Sequence, residues 1–332
     1  MNDVISSIKL IGIPNMIEPA TSLEVDRAIE LFPVAKLNKI ALLFLESLKF
    51  GDHSTLEAHL SCYRSKHMKT LALTSLVSDL FEEEHIQYAI FKTLKPFPYT
   101  PSDIDVLLCS TDELSNASQI LEKKGLRSIE KDFFGLTMFS GEYGLNVDLT
   151  TEVAVSGLIY LDKNLLFNHV SQVKVNGFKV QTLSPHADLV TTAAHCMYKE
   201  QMYTLSDYYT FALSSKHYEE ALKLAEKAHA KFALETALKL TYIITISAFG
   251  SGNTLVERLK NSINTFDLNT IIQTRKLLDL PIKYPSYVLL KGLSQKILED
   301  PVSRNSLPKV IKSTIQPKFF SKLLEHITRK AY

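Results

Sequence analysis

The chain alternates between two hydrophobic periods, and the change of period marks its organisation. Over residues 25–49 apolar positions recur at helical spacing, and Pro33 is expected to break that stretch in two. A second helix is expected over residues 66–84, where Met68, Leu71, Leu73, Leu76, Leu80 and Phe81 can share a broad apolar face. The run Glu82-Glu83-Glu84 reads as its solvated end. The period then shortens. Residues 86–91 are β-leaning, a proline-bearing loop covers 95–101, and residues 103–109 read as a largely buried strand. Residues 111–124 predict a helix, capped by Ser110 or Thr111 and stopped by Gly125. Strands are expected over 126–130, 134–139 and 145–153, and a hairpin over 173–183 turning at Asn176-Gly177. Beyond Pro185 the helical period returns over 188–198, 218–230 and 233–249, and Ser251-Gly252-Asn253 predicts a turn. The remainder reads as helical, with breaks at Pro281, Pro285, Pro301, Pro308 and Pro317.

This order predicts an α+β fold: a mixed sheet with flanking helices, then an α-helical C-terminal bundle. Four segments are expected. Residues 1–65 form an N-terminal helical segment and 66–184 the sheet-bearing core. Residues 185–250 form a helical domain packing on that core, and 251–332 a basic helical C-terminal region.

Composition narrows the chemistry. The chain has 332 residues, 45% hydrophobic, 22% charged, with a net charge of +1, which suits a soluble globular protein. Its three cysteines, Cys62, Cys109 and Cys196, form no CxxC pair, so neither a zinc site nor a disulfide framework is expected. The start shows no basic segment followed by an apolar block, and the apolar run 40–50 is interrupted by Glu46 and Lys49. A cytoplasmic protein without a membrane span is expected. Glycine is scarce, and neither GxxxxGK[ST] nor GxGxxG occurs. Phosphate chemistry here would have to rest on metal or on side chains.

One segment stands out: Pro101-Ser102-Asp103-Ile104-Asp105-Val106-Leu107-Leu108. Side chains alternate faces along a strand, so Asp103 and Asp105 point the same way while Ile104 points into a core. Two carboxylates so placed repel each other unless something positive sits between them. Downstream, Leu145, Val147 and Leu149 share one face of a strand and Asn146, Asp148 and Thr150 the other. If the two strands are neighbours, Asp148 completes a triad of acids. Such a triad can hold two Mg²⁺ or Mn²⁺ ions about 4 Å apart. Oxygen-only ligands suit these hard cations.

The ordered set of features resembles the nucleotidyltransferase superfamily related to DNA polymerase β, and especially its uncharacterised prokaryotic branch. The parallel runs from Thr70 through Ile90-Phe91-Lys92-Thr93 to Ser102-Asp103-Ile104-Asp105-Val106-Leu107-Leu108. Asp148 in Val147-Asp148-Leu149 matches the third acid, and the helix bearing Ala193-Ala194-His195 resembles the one that follows the core. The likeness spans roughly residues 65–250. It implies an enzyme that moves a nucleoside monophosphate from a nucleoside triphosphate to an acceptor hydroxyl. Asp103, Asp105 and Asp148 would be its catalytic and metal-binding residues, and Lys92, Thr93, Ser102 and Lys199 its nucleotide contacts. One departure counts against activity. The superfamily usually has Gly-Gly or Gly-Ser ahead of the DxD, where this chain has Lys92-Thr93-Leu94. A side chain there hinders close approach of the triphosphate, although Lys92 and Lys95 compensate electrostatically.

Three further features carry candidates. Asp188, His195 and Lys199 can lie along one side of a helix, as a cap, a satisfied histidine and a surface lysine, or with Lys199 on phosphate. Ser206, Asp207, Tyr208 and Tyr209 form a polar-aromatic patch suited either to stacking a base or to core packing. Residues 283–332 hold ten Lys or Arg against three Asp or Glu, interleaved with Tyr284, Tyr287, Phe319, Phe320 and His326. That pattern suits RNA, perhaps tRNA, as acceptor, or a solvated amphipathic tail. Two rivals stand beside the transferase. One is a catalytically degenerate member that binds nucleotide, nucleic acid or protein; the other is a DxD glycosyltransferase, which would need a longer nucleotide-binding unit ahead of the motif.

Overall fold

The computed structural model describes residues 3–19, 25–48, 54–263 and 281–314. Four helices open it: α1 (Asp3–Ile11), α2 (Val25–Leu37), α3 (Ala41–Ser47) and α4 (Ser54–Glu83). Pro33 lies inside α2 and does not end it. Pro33 is exposed, as is Ile29, whose carbonyl it leaves without a helical partner, so water can satisfy that group. The chain turns later, at Lys39, whose backbone is left-handed at φ 59°. Helix α4 is 30 residues long and runs through residue 65 without interruption. Leu71, Leu73, Val77, Leu80 and Phe81 on it are buried, whereas Met68, expected on the same face, is 57% exposed.

The sheet-bearing part follows in the order β1 (Tyr88–Ile90), β2 (Asp103–Leu108), α5 (Thr111–Lys123), β3 (Arg127–Lys131), β4 (Gly135–Ser140) and β5 (Leu145–Thr150). It continues with β6 (Val153–Val155), β7 (Leu158–Leu161), α6 (Lys163–Phe167), β8 (Val170–Val175) and β9 (Phe178–Leu183). Seven strands form one mixed sheet, ordered β3-β4-β5-β2-β1-β9-β8. Its central pair, β2 and β5, is parallel. The expected strand over 145–153 divides in two. The Thr150 hydroxyl donates to the Glu152 carbonyl, the chain bends, and β6 pairs with β7 in a separate hairpin. Local signals elsewhere act as their chemistry dictates. The Ser110 hydroxyl accepts from the Glu113 amide and caps α5. Asn176 and Gly177 both have positive φ, as a two-residue hairpin turn requires.

The last part is helical: α7 (Pro185–Ala194), a π-helical turn (His195–Glu200), the short β10 (Met202–Tyr203), α8 (Leu205–Leu213), α9 (Tyr218–Lys227), α10 (Lys231–Phe249) and α11 (Thr254–Ser262). Beyond residue 280 come β11 (Ile282–Lys283), α12 (Ser286–Glu299) and α13 (Pro301–Thr314). The helix expected over 188–198 therefore changes winding at His195. Pro308, like Pro33, sits exposed within its helix and does not break it. Helix α10 is long and apolar enough to cross a membrane by length and composition, but here it is a core helix. Leu234, Leu238 and Ile244 are buried, and its Thr241 and Thr245 hydroxyls bond to the phenols of buried Tyr203 and Tyr208.

The protein is thus α+β, with a mixed sheet between two apolar clusters. On one sheet face Ile104, Val106, Val147 and Leu149 pack with Leu73, Val77 and Phe81 of α4 and Ala117 and Leu121 of α5. On the other, Ala89, Leu107 and Leu183 join a larger cluster built from α1 to α3 and the helices after residue 185. Burial of two apolar faces is what holds the polar residues of β2 and β5 at fixed positions.

Candidate active site

Asp103, Asp105 and Asp148 come together on the sheet face opposite α4 and α5. The parallel register pairs Asp105 with Asp148 and Asp103 with Asn146. On its other side Asp148 pairs with Thr137 of β4. A row Thr137–Asp148–Asp105 therefore crosses three strands, with Asp103 one pleat away. The proline-bearing loop that delivers β2 is fastened before the motif begins. Phe97 is buried against Tyr209, and the Tyr99 carbonyl bonds to the His67 ring of α4 at 2.7 Å.

Two of the three acids, Asp105 and Asp148, border a cavity of about 250 Å³. Asp105, Asp148, Thr137, Lys92, Lys199, Glu130, Asp132 and Glu152 are among the residues that line it. Burial first, then the charge of Asp103, raises the Asp148 pKa to about 6. Its Oδ1 is buried without a hydrogen-bond partner. Burial opposes the Lys199 ammonium, but Asp105, Glu200, Asp103 and Asp148 outweigh it and hold its pKa above the ordinary value.

Lys92 is the hub. Its backbone is left-handed, φ 60°, a conformation that glycine adopts freely and lysine at a cost of order 1 kcal/mol. Three contacts support that strain. The Lys92 amide donates to Asp188 Oδ1 at 3.1 Å, and Nζ donates to Asp105 Oδ1 at 3.0 Å and lies 3.3 Å from His195 Nδ1. So a backbone conformation that suits glycine carries a lysine here, and its side chain lies against Asp105. Thr93 is buried, and its hydroxyl accepts from the Asp105 amide and donates to the Phe91 carbonyl. Ser102 is exposed and donates to Asp103 Oδ1 at 3.0 Å.

The π-helical turn supplies the remaining groups. His195 Nε2 is 2.9 Å from Glu200 Oε1, and Nδ1 faces both Lys92 Nζ and the Tyr160 hydroxyl at 3.3 Å each. Asp188, His195 and Lys199 all reach this site. Tyr160, Glu200 and Thr137 also belong here, and no local signal marks them in the sequence. Tyr160 sits in an apolar strand, Glu200 follows a lysine as a solvated residue would, and Thr137 is an ordinary strand threonine.

For the other sequence candidates the structure chooses between the readings. Tyr208 and Tyr209 are fully buried, Tyr209 donating to the Gly12 carbonyl, while Asp207 and Thr204 form a capping box for α8; that patch cannot stack a base. In the basic C-terminal region, Tyr284 is buried, and Lys296 is buried in an ion pair with Asp300 at 2.7 Å. Lys291, Arg304, Lys309 and Lys312 are exposed. Phe319, Phe320 and His326 lie outside the described residues.

Among the described residues no three His, Cys, Asp or Glu side chains are gathered as a formed metal cluster, and Lys92 engages Asp105. The donors nevertheless fit a hard divalent cation in kind: all are carboxylate oxygens, and one is buried without a partner.

No model of a known protein family matches the chain, and no curated protein matches it. Among solved structures, the chain is similar to an antigenic nucleotidyltransferase-like protein from Paracoccidioides brasiliensis, at 13% identity and a TM-score of 0.32, over 60% of this chain and 96% of that one.

Proposed function

We propose that the protein is a metal-dependent nucleotidyltransferase of the cytoplasm. The observation that carries this reading is the parallel register of β2 and β5, which sets Asp105 beside Asp148 on a cavity wall facing Lys92 and Lys199. Asp103, Asp105 and Asp148 would hold Mg²⁺ or Mn²⁺. Bound there, the ions would help ionise the attacking hydroxyl and neutralise the triphosphate and the departing pyrophosphate. The acceptor oxygen bonds to the α-phosphorus as the bond from that phosphorus to the β-phosphate's bridging oxygen breaks. Lys92 and Lys199 offset the charge of the phosphates. Asp148 is the acid nearest the attacking hydroxyl in this reading, and Ser102 and Thr93 hold Asp103 and the strand start in place.

RNA, including tRNA, is the proposed acceptor. In support, α13 packs on β7, whose partner β6 contributes Val153 and Ala154 to the cavity lining. The exposed Arg304, Lys309 and Lys312 thereby stand on the element next to the site, where phosphates would be drawn.

The test is pyrophosphate release with each of the four nucleoside triphosphates, Mg²⁺ or Mn²⁺, and total RNA. Release by wild type that vanishes in a folded Asp103→Ala/Asp105→Ala variant supports the transferase. A second reading, a degenerate binding module, is favoured by Lys92 standing on Asp105 at 3.0 Å. It predicts nucleotide or RNA binding with no pyrophosphate released, even with Mn²⁺.

A further inference from the structure

An ammonium group has three N–H donors. At Lys92 one goes to Asp105 Oδ1 and one faces His195 Nδ1, and the side chain lines the cavity. The third is open to a phosphate oxygen or to the face of Phe91, whose ring centroid lies 4.7 Å from Nζ. The direction of that donor depends on the other two contacts.

His195 is built to be the acceptor in one of them. Its Nε2 is 2.9 Å from the Glu200 carboxylate, which only accepts, so Nε2 carries the ring proton and Nδ1 presents a lone pair. Burial, and then the charges of Lys92 and Lys199, keep the imidazole neutral by holding its pKa well below the ordinary value. The Tyr160 hydroxyl lies at the same 3.3 Å from Nδ1 and shares its single lone pair with Lys92. The π-helical turn explains how His195 and Glu200 meet, five residues apart, where an α-helix would put them on different faces.

We propose that His195, keyed by Glu200, is a positioning residue that aims the Lys92 ammonium at the triphosphate. When a divalent cation takes Asp105, His195 is the partner that Lys92 retains. Without His195 the ammonium would be held by Asp105 alone and would compete with the cation for it. The proposal rests on the transferase reading for its ligand, and on the contacts at Lys92 for its mechanism.

The two ring nitrogens can be removed separately. In His195→Gln the amide reaches the place of Nε2 and keeps Glu200 satisfied, but no acceptor takes the place of Nδ1 beside Lys92. In His195→Asn the amide oxygen can lie near the place of Nδ1. Binding of the four α,β-methylene nucleoside triphosphates with Mg²⁺ is measured by calorimetry for both variants, for Lys92→Met, and for the Lys92→Met/His195→Gln pair. His195→Gln is expected to weaken binding about tenfold, a charge-assisted hydrogen bond's worth, and His195→Asn to recover most of it. In the Lys92→Met background His195→Gln should change affinity little, because the residue acts through Lys92. Losses that multiply in the double variant overturn the proposal and leave the transferase reading intact. Wild type that binds none of the four analogues removes that reading, and the proposal with it.

Discussion

Lys92 Nζ stands 3.0 Å from Asp105 Oδ1, with only 11% and 17% of the two side chains exposed. A pair this buried costs more to break than it contributes by existing, because the survivor keeps its charge without its partner. Lys92→Met would leave Asp105 facing Asp103 and Asp148 with less compensation. We expect it to lower the stability of metal-free protein by about 3 kcal/mol, read from urea denaturation in a chelator. An unchanged midpoint would mean that the pair is hydrated in solution.

Asp148 responds in the opposite sense. Its folded pKa of about 6 lies above its ordinary value near ~4. Between those values the folded state binds more protons than the unfolded chain, so stability falls as pH rises through that window and stays lower above it. Asp148→Asn removes the charge and the slope together. We expect a gain of roughly 2 kcal/mol at pH 7 without metal, together with loss of pyrophosphate release. Calorimetric melts from pH 4 to 8 check it; an equally steep slope in the variant would assign the titration elsewhere.

A second buried pair ties the C-terminal helices down. Lys296 Nζ bonds to Asp300 Oδ2 at 2.7 Å and to the Ala228 carbonyl at 2.6 Å, and the Ser303 hydroxyl donates to Asp300. Burial alone would raise the Asp300 pKa, but Lys296 and Ser303 hold it below the ordinary value. A depressed carboxylate contributes stability above its unfolded pKa and loses it as pH falls through the folded one. Wild type should therefore lose this contribution below about pH 4, while Lys296→Met, destabilised by about 3 kcal/mol at neutral pH, should show a shallower acid loss.

Gly157 forms the turn of the β6–β7 hairpin at φ 89°, and a Cβ there would lie 2.7 Å from the Lys309 backbone in α13. Both the dihedral and the contact oppose any side chain. Gly157→Ala should push α13 off the hairpin at a cost above ~1 kcal/mol, seen as faster proteolysis in α12 and α13. If RNA binds there, its affinity should fall in the same variant.

The acids were legible because strand alternation is a local property: Asp103 and Asp105 share a face whatever surrounds them. The register that sets Asp105 beside Asp148 was not, since nothing in either strand names its partner across 43 residues. Of the two readings open for Tyr208 and Tyr209, the structure selects core packing, and the sequence could not choose between them for a related reason. Their hydroxyls are satisfied inside the core by Thr245 and by the Gly12 carbonyl, groups distant in sequence. Pro33 and Pro308 failed as breaks because each sits on a solvent-facing side of its helix, where a lost bond costs least. The π-helical turn has no composition of its own, so His195 and Glu200 could not be paired in advance.

The parallel pairing of β2 with β5 also orders events in time. Lys92 lies between β1 and β2, which pair antiparallel across the connection 91–102, so it can meet Asp105 once that pair closes. Asp148 arrives only after α5, β3 and β4 have been threaded through, as the third acid of a wall already neutralised in part. During synthesis the cation is made before the last anion, and the chain never has to dock three bare carboxylates at once.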